Sequence, residues 1–170
     1  MKLLLLSDLH LELRDLSLPE TLDFDVAVLA GDIHWPGARL HEWMSRTPAL
    51  QRARAVVVVS GNHEYFERVL QQEGGVLQRA AQAAASPPVH RLDCGEVRID
   101  GVRFLGCTLW TDFELRIDTP EGPRSDRARG MTAAASRMAD YRSIAWRNAP
   151  GATPRPMTPH DTLRLHVQQR

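Results

Sequence analysis

The sequence predicts an α/β fold built on a largely parallel sheet. Three continuous apolar runs, Leu3–Leu6, Val26–Ala30 and Ala55–Val59, have the length and composition of strands covered on both faces. Residues 37–54 separate the second and third runs and carry large apolar side chains at helical spacing, which predicts a β-α-β crossover. The residues on that predicted helical face are Leu40, Trp43, Met44 and Leu50.

A second helical region is predicted after the third strand. Residues 64–72 have a helical pattern, Gly74-Gly75 is expected to interrupt it, and the Ala-rich residues 76–85 are expected to resume it. The tripeptide Ser86-Pro87-Pro88 predicts the end of this region, because proline cannot continue a helix.

The pattern then changes from crossover units to antiparallel pairing. Residues 96–99 and 102–105 flank Asp100-Gly101, which is a strong signal for a two-residue hairpin. A further strand is predicted at residues 108–110. This change indicates a mixed sheet or a second sheet.

The last third of the chain is predicted to alternate loops with helices. The expected elements are loops at residues 111–130 and 149–159 and helices at residues 132–146 and 158–169. The last helix has a complete start signal, with Thr158 as the N-cap, Pro159 at the first helical position and Asp161 as the acid of a capping box.

Size and composition fit a single domain with a core of its own. A chain of 170 residues matches the usual length of one domain, and its zero formal net charge favours neither nucleic acid nor an anionic membrane. No stretch approaches the ~20 apolar residues that a membrane span needs. The Arg-rich residues 124–147 include acidic residues and predict a solvated helix face rather than a nucleic-acid interface. Cys94 and Cys107 form no paired motif, which favours buried free thiols and a reducing, cytoplasmic environment.

Short polar motifs follow the three apolar runs. They are Ser7-Asp8-Leu9-His10, Gly31-Asp32 and Gly61-Asn62-His63-Glu64. The carboxyl ends of parallel strands are where an open α/β sheet usually builds its site. Asp8 and His10 are two residues apart, so an extended strand end would direct both towards one ion. Gly31 would allow a sharp turn that leaves Asp32 able to bridge two ions.

These side chains predict a metal site with hydrolytic chemistry. Carboxylate, amide and imidazole groups together favour Mn, Fe, Zn or Ni ions, and paired metals suit the hydrolysis of phosphate esters. The alternative is that Asp8, Asp32 and Asn62 only cap turns, since each is a residue type that turns favour. The recurrence of the motifs after successive strands, in step with His10 and His63, argues against that alternative.

With these motifs, the chain resembles the calcineurin-like metallophosphoesterase family. That family has Asp-x-His, Gly-Asp and Gly-Asn-His-Asp/Glu at successive strand ends, and residues 99–110 also resemble some of its bacterial members. The resemblance implies a β-sandwich of mixed sheets flanked by helices and a centre for two divalent metal ions. It implies that the first ion is held by Asp8, His10 and Asp32, and the second by Asp32 and Asn62. It also implies that His63 is the general acid at the leaving oxygen.

The chain also departs from the family pattern. The family carries further histidine ligands downstream, ending in Gly-His-x-His, and this sequence contains no Gly-His dipeptide. The second ion would have two protein ligands, which are too few for a tight transition-metal site. We therefore expect residues 1–170 to form a single, incomplete and truncated metallophosphoesterase domain. Among other histidines, His34 is expected either to line the pocket or to be an ordinary loop residue.

The predicted function is metal-dependent hydrolysis of a phosphate ester or anhydride, impaired by the truncation. The expected substrate is a phosphorylated small molecule or a nucleotide, with no membrane partner. The alternative is a non-catalytic remnant that works as an interaction module, because the edge of an unfinished sheet invites pairing with a partner chain.

Overall fold

The computed structural model describes residues 1–83 and 86–170 as a mixed α/β structure. The chain divides into two compact units, Met1–Thr108 and Leu109–Arg170. Within the described ranges, no helix combines the length and the apolar character needed to cross a lipid bilayer.

The first unit is built on a four-stranded parallel sheet with the strand order β1-β2-β3-β4. The strands are β1 (Leu3–Leu6), β2 (Val26–Ala30), β3 (Ala55–Val59) and β4 (Val89–Leu92). The predicted bounds of the first three strands are confirmed. The fourth strand is missing from the sequence prediction, because Val89–Leu92 contains a histidine and an arginine within only four residues.

Two short helices cover one face of this sheet. They are α1 (Arg39–Arg46) and α2 (Pro48–Gln51), and they divide the predicted crossover helix at Thr47, which is extended before Pro48. All four residues of the predicted helical face are buried, in a cluster with alternate residues of β2 and β3. The cluster members from the strands are Ala27, Leu29, Val56 and Val58.

An antiparallel hairpin covers the opposite face. Its strands are β5 (Gly95–Ile99) and β6 (Val102–Gly106), and the turn residues Asp100 and Gly101 have φ values of 47° and 80°. This confirms the predicted hairpin and its two-residue turn. A Cβ atom on Gly106 would lie 2.8 Å from both Leu92 Cβ and Val59 Cγ2, so glycine lets β6 pack closely on the sheet.

The strand β1 lies at the edge of the sheet and is covered less than predicted. Leu3 is 52% exposed and Leu5 is 66% exposed, while Leu4 and Leu6 pack against the helix-covered core. Among the strands of the described ranges, β1 pairs with β2 alone. The prediction of a strand buried on both faces is therefore wrong for β1, because a run of leucines does not reveal an edge position.

The helical region after β3 also differs from the prediction. A 3₁₀ turn spans His63–Tyr65, and α3 (Leu70–Ala83) begins later and continues through Gly74-Gly75 without a break. Leu77 and Ala81 of this helix are buried, and this packing outweighs a cost of about 1 kcal/mol for each helical glycine. The predicted end of the helix, at residues 84–85, lies outside the described residues.

The second unit contains three helices and one pair of short strands. The elements are α4 (Arg127–Arg137), α5 (Asp140–Ser143), β7 (Ala145–Trp146), β8 (Arg155–Pro156) and α6 (Pro159–Gln169). The predicted helix over 132–146 is wrong in its bounds, because Asp126 caps a helix that starts within the predicted loop at 111–130. The predicted strand at 108–110 is not formed, and β8 lies within the predicted loop at 149–159.

The start of α6 confirms the predicted capping box. The Asp161 carboxylate accepts hydrogen bonds from the backbone N–H and the hydroxyl of Thr158, at 2.9 and 2.7 Å. It also accepts two from the Arg155 guanidinium, at 2.7 and 2.9 Å. Burial raises the pKa of Asp161, but the hydrogen bonds from Arg155 and Thr158 outweigh it and hold the pKa below its usual range.

No disulfide joins Cys94 and Cys107. Cys94 is exposed and Cys107 is half-buried, so the expectation that both thiols are buried is wrong. Both lie at the ends of the β5–β6 hairpin, outside the packed core.

Candidate metal centre

Three polar side chains converge beyond the carboxyl ends of β1, β2 and β3. His10, Asp32 and His63 each offer one ligand atom, and these three atoms lie within 4.8 Å of one another. All three residues are half-buried. Of the residues that the structure describes, this is the one group of three or more His, Cys, Asp or Glu side chains that could hold a metal ion.

The loops after β1 and β2 are joined through their backbones. The N–H of Asp8 donates to the carbonyl of Gly31, and the N–H of His10 donates to the carbonyl of Asp32, both at 3.0 Å. Asp8, His10 and Asp32 have φ values of 52°, 46° and 52°, in the left-handed region that few residues other than glycine adopt. Such residues concentrate at functional sites, where the surrounding structure holds them against a cost of about 1–3 kcal/mol each.

This backbone does not have the geometry that the sequence predicts for Asp8 and His10. The prediction relies on an extended strand end, and β1 ends at Leu6 before both residues turn into the left-handed region. Asp8 is exposed, its carboxylate accepts a hydrogen bond from the Ser7 hydroxyl, and it is not a member of the three-residue group. Its role as a metal ligand stays a prediction.

Two glycines allow the loops after β2 and β3 to touch. Gly31 has a φ of 91°, and a Cβ there would lie 3.0 Å from the backbone nitrogen of Gly61. A Cβ on Gly61 would lie 2.1 Å from Asp32 Oδ1, a distance that no real contact reaches. The same oxygen accepts the backbone N–H of His63 at 3.0 Å. Both motif glycines are therefore required by the close approach of the two loops.

The carboxylate of Glu64 links the loops after β2 and β3. It accepts backbone N–H groups from Gly61 and Ile33 at 2.7 Å, from Asp32 at 3.1 Å and from His34 at 3.3 Å. Burial raises the pKa of Glu64 above its usual range, although the N–H donors act in the opposite direction. This role of Glu64 has no signal in the sequence, because nothing in the local pattern shows that an acid beside His63 will reach another loop.

A second acid that sequence reasoning missed lies beside the two histidines. Glu12 Oε1 is 3.2 Å from His10 Nδ1 and 3.8 Å from His63 Nδ1, and Glu12 Oε2 accepts the backbone N–H of Trp35 at 3.1 Å. Burial raises the pKa of Glu12, but hydrogen bonds from N–H groups and from His10 outweigh it and lower the pKa. The only sequence signal is its spacing, two residues beyond His10.

Ring contacts fix the orientation of the His63 imidazole. Its centroid lies 4.2 Å from that of Phe66, with the planes 27° apart, and 4.5 Å from that of His10 in an edge-to-face arrangement. Phe66 is held in turn, because its carbonyl accepts the indole N–H of Trp35 at 2.9 Å. The His63 ring is therefore placed by packing as well as by its own backbone hydrogen bond.

Asn62 and His34 lie in the loops that follow β3 and β2. Asn62 is half-buried and directly precedes the 3₁₀ turn that carries His63, so its role as a ligand stays a prediction. His34 is buried, with its Nδ1 2.9 Å from the carbonyl of Trp35. His41 and His90 are half-buried, and burial lowers the pKa of His41.

The donor set of the three-residue group fits a divalent transition metal. Two imidazole nitrogens and one carboxylate oxygen are a common ligand set for Zn²⁺, and the same mixture suits Mn²⁺, Fe²⁺ or Ni²⁺. Three protein ligands leave coordination positions for water or a substrate. The three side chains could therefore hold a divalent ion, and bound ions of this kind can activate water in other proteins.

Comparison with known proteins agrees with this geometry. A family model described as calcineurin-like phosphoesterase matches residues 1–107, more than half of the 170 residues. The matched segment contains all six strands β1–β6 and the three motifs that supply His10, Asp32 and His63. No curated protein matched the chain. The chain therefore belongs to the calcineurin-like phosphoesterase family.

Proposed function

We propose that this chain binds a divalent metal ion at His10 and Asp32 and hydrolyses a phosphate ester or anhydride. The observation that supports the proposal most strongly is the approach of His10, Asp32 and His63, with ligand atoms within 4.8 Å of one another. When bound, the ion would polarise a phosphoryl oxygen and activate a water molecule as the nucleophile.

The proposal gives the polar side chains of the three motifs different roles. His10 and Asp32 are the principal ligands, with Asp8 as a further ligand of the first ion and Asn62 as a ligand of a second. Asp32 is suited to a shared position because its carboxylate already links the loops after β2 and β3, through the backbone N–H of His63 at 3.0 Å. A second ion would have few protein ligands, and we expect it to bind more weakly than the first.

His63 is proposed as the general acid that protonates the leaving oxygen. Its ring is held by stacking on Phe66 and by its edge contact with His10, so it can present one ring nitrogen to a phosphate ester beside the ion. General acid catalysis by such a group contributes about 10²–10⁴-fold. The proposed substrate is a phosphorylated small molecule or a nucleotide, since the chain has no net charge that would attract nucleic acid.

The proposal can be tested with the metal-loaded chain and p-nitrophenyl phosphate or bis-p-nitrophenyl phosphate. We expect turnover that requires Mn²⁺, Zn²⁺, Fe²⁺ or Ni²⁺ and that is lost in Asp32→Ala together with bound metal. In His63→Ala we expect the metal to stay and the rate on an alkyl phosphate such as glycerol phosphate, whose leaving oxygen needs a proton, to fall by about 10²–10⁴-fold. Glu42→Ala, at an exposed position on α1, is the control and should retain full activity.

Two results would test the roles of His63 and Asp32 separately. Loss of metal in His63→Ala would make His63 a ligand rather than the acid. Unchanged metal binding in Asp32→Ala would contradict the assignment of Asp32 and, with it, the proposed site.

A non-catalytic interaction module is the second candidate, favoured by the exposed edge of the sheet. Leu3 and Leu5 of β1 are 52% and 66% exposed, and an edge strand offers unpaired backbone groups to a partner chain. Metal stoichiometry and turnover distinguish the two candidates. Two bound ions with hydrolysis favour the enzyme, and one ion or none without hydrolysis favours the module.

A further inference from the structure

The carboxylate of Glu12 lies against the same ring atom of two histidines. Its Oε1 is 3.2 Å from Nδ1 of His10 and 3.8 Å from Nδ1 of His63. The first distance is that of a hydrogen bond, and the second is a close electrostatic contact. The Glu12 side chain is only 15% exposed, so these contacts are largely shielded from solvent.

Glu12 is itself held in this position by a neighbouring loop. Its Oε2 accepts the backbone N–H of Trp35 at 3.1 Å, and the Trp35 indole donates to the carbonyl of Phe66 at 2.9 Å. Phe66 stacks on the ring of His63 at 4.2 Å. The carboxylate and the two imidazoles are therefore parts of one connected arrangement, and Glu12 cannot turn away without losing a backbone hydrogen bond.

A carboxylate in this position determines which nitrogen of a neutral imidazole carries the proton. An ionised carboxylate only accepts hydrogen bonds, so the nitrogen that faces it must be the protonated one. A neutral histidine has one protonated nitrogen and one lone pair, and fixing the proton on Nδ1 leaves the lone pair on Nε2. Carboxylates that orient metal-binding histidines in this way also raise the basicity of the ligand nitrogen.

We propose that Glu12 is a positioning residue that fixes His10 and His63 in the tautomer protonated at Nδ1. Nε2 of His10 is then the lone pair left for a metal ion. Nε2 of His63 is the atom that faces the substrate, and it must first take up a proton from solvent before it can pass that proton to the leaving oxygen. These two assignments rest on the proposed function, whereas the tautomers follow from the contacts of Glu12 alone. The effect is stronger on His10, because its Nδ1 lies at hydrogen-bond distance and that of His63 does not.

Nuclear magnetic resonance of the metal-free chain tests the tautomers directly. Long-range ¹H–¹⁵N correlation of the imidazoles is recorded at pH ~8.5, about two units above the ordinary histidine pKa, so that the rings are neutral. We expect both rings to be protonated at Nδ1 in the wild type. Glu12→Ala should move His10 towards the Nε2-protonated form, with a smaller change in His63. Glu12→Gln, whose amide oxygen still accepts a hydrogen bond, should restore part of the wild-type population.

Zn²⁺ titration by calorimetry gives a second readout that does not depend on activity. We expect Glu12→Ala to weaken Zn²⁺ binding by about 10–100-fold, the usual cost of removing a group that orients a ligand. On p-nitrophenyl phosphate the same variant should lose kcat with little change in KM. Glu42→Ala removes an exposed glutamate and should leave tautomers, affinity and kcat unchanged.

The possible failures are distinguishable from one another. Protonation of His10 at Nε2 in the wild type would overturn the inference, and so would tautomers and Zn²⁺ affinity that Glu12→Ala leaves unchanged. If circular dichroism shows that Glu12→Ala does not fold, the inference is tested by the tautomers of the wild type and by the intermediate tautomer populations expected for Glu12→Gln. A wild type that shows the expected tautomers and binds Zn²⁺ but hydrolyses nothing would refute the proposed function and leave the role of Glu12 supported.

Discussion

Replacement of Gly61 by alanine is the most direct perturbation of the loop junction beneath the candidate metal centre. An added Cβ would lie 2.1 Å from Asp32 Oδ1, 2.6 Å from the Asp32 nitrogen and 2.8 Å from Asp32 Cγ. Ordinary contacts begin near 3.4 Å, so the carboxylate of Asp32 would have to move by more than about 1 Å. Asp32 would then lose the hydrogen bond from the His63 backbone, which is 3.0 Å long in the wild type.

The added methyl group should lower stability by overpacking the site and lower the rate by displacing the Asp32 carboxylate. Inserting a methyl group into a closely packed site costs about 1–3 kcal/mol of stability. A displacement of about 1 Å in a catalytic group lowers the rate by about 10²-fold. We therefore expect Gly61→Ala to lose about 1–3 kcal/mol in the free energy of unfolding, to bind metal more weakly and to lose most of its turnover.

Gly74→Ala is a matched control with the opposite expected sign. Gly74 lies inside α3, and a Cβ there would approach other atoms no closer than 3.9 Å. An alanine in a helix interior is favoured over glycine by about 0.5–1 kcal/mol, so this variant should be more stable and keep its metal affinity. Urea unfolding and calorimetric metal titration measure both quantities. Wild-type stability and metal affinity in Gly61→Ala would refute the reasoning.

Three further predictions concern Glu64, Asp161 and the effect of Zn²⁺ on stability. Glu64→Ala removes the acceptor of four backbone N–H groups and should lower the free energy of unfolding by about 3 kcal/mol. A urea titration that shows a decrease in unfolding free energy of less than about 1 kcal/mol would contradict this. Asp161→Asn should cost about 1.5–3 kcal/mol at neutral pH, because it loses charge-assisted bonds from Arg155. The pKa of Asp161 is lowered in the folded chain, so this stabilisation is present above the unfolded value of ~3.9 and is lost as the pH falls through the folded value. The difference in unfolding free energy between wild type and variant should therefore shrink below about pH 4, and a constant difference would argue against the assigned cause. Zn²⁺ at 100 times its dissociation constant should raise the unfolding free energy of the wild type by about 2.7 kcal/mol and leave Asp32→Ala unchanged, which thermal or urea unfolding can measure.

The framework of the first unit could be predicted from the sequence because its apolar runs are unambiguous. Leu3–Leu6, Val26–Ala30 and Ala55–Val59 have the predicted bounds, and the Asp100-Gly101 hairpin is formed as expected. The strand Val89–Leu92 is not predicted, because its burial depends on tertiary packing rather than on its own composition.

The motifs predicted which strand ends meet, but not how each side chain is placed. His10, Asp32 and His63, which follow three strands of one parallel sheet, lie near one another. Asp8 lies outside this group, and its φ of 52° is a backbone conformation that a periodicity argument cannot foresee. Local sequence indicates where a strand ends, whereas a left-handed residue is stabilised by its partners in another loop.

The roles of Glu64 and Glu12 could not be predicted from the sequence, because both depend on contacts with residues far away in the chain. Glu64 contacts Ile33, which is 31 residues earlier in the chain, and Glu12 contacts Trp35, which is 23 residues later. Long-range contacts of this kind depend on the fold, and the one local signal, the spacing of Glu12 two residues beyond His10, does not reveal the contact with Trp35. The helix Leu70–Ala83 shows the same limit, since burial of Leu77 overrides a glycine pair that would break an isolated helix.

The position of a bound metal ion is the central claim, and anomalous X-ray scattering from a Zn²⁺-soaked crystal tests it most directly. We expect a peak within about 2.0–2.2 Å of a nitrogen of His10 and an oxygen of Asp32, close to the ring of His63. A peak ligated by other residues, or no peak in crystals that contain saturating Zn²⁺, would contradict the account.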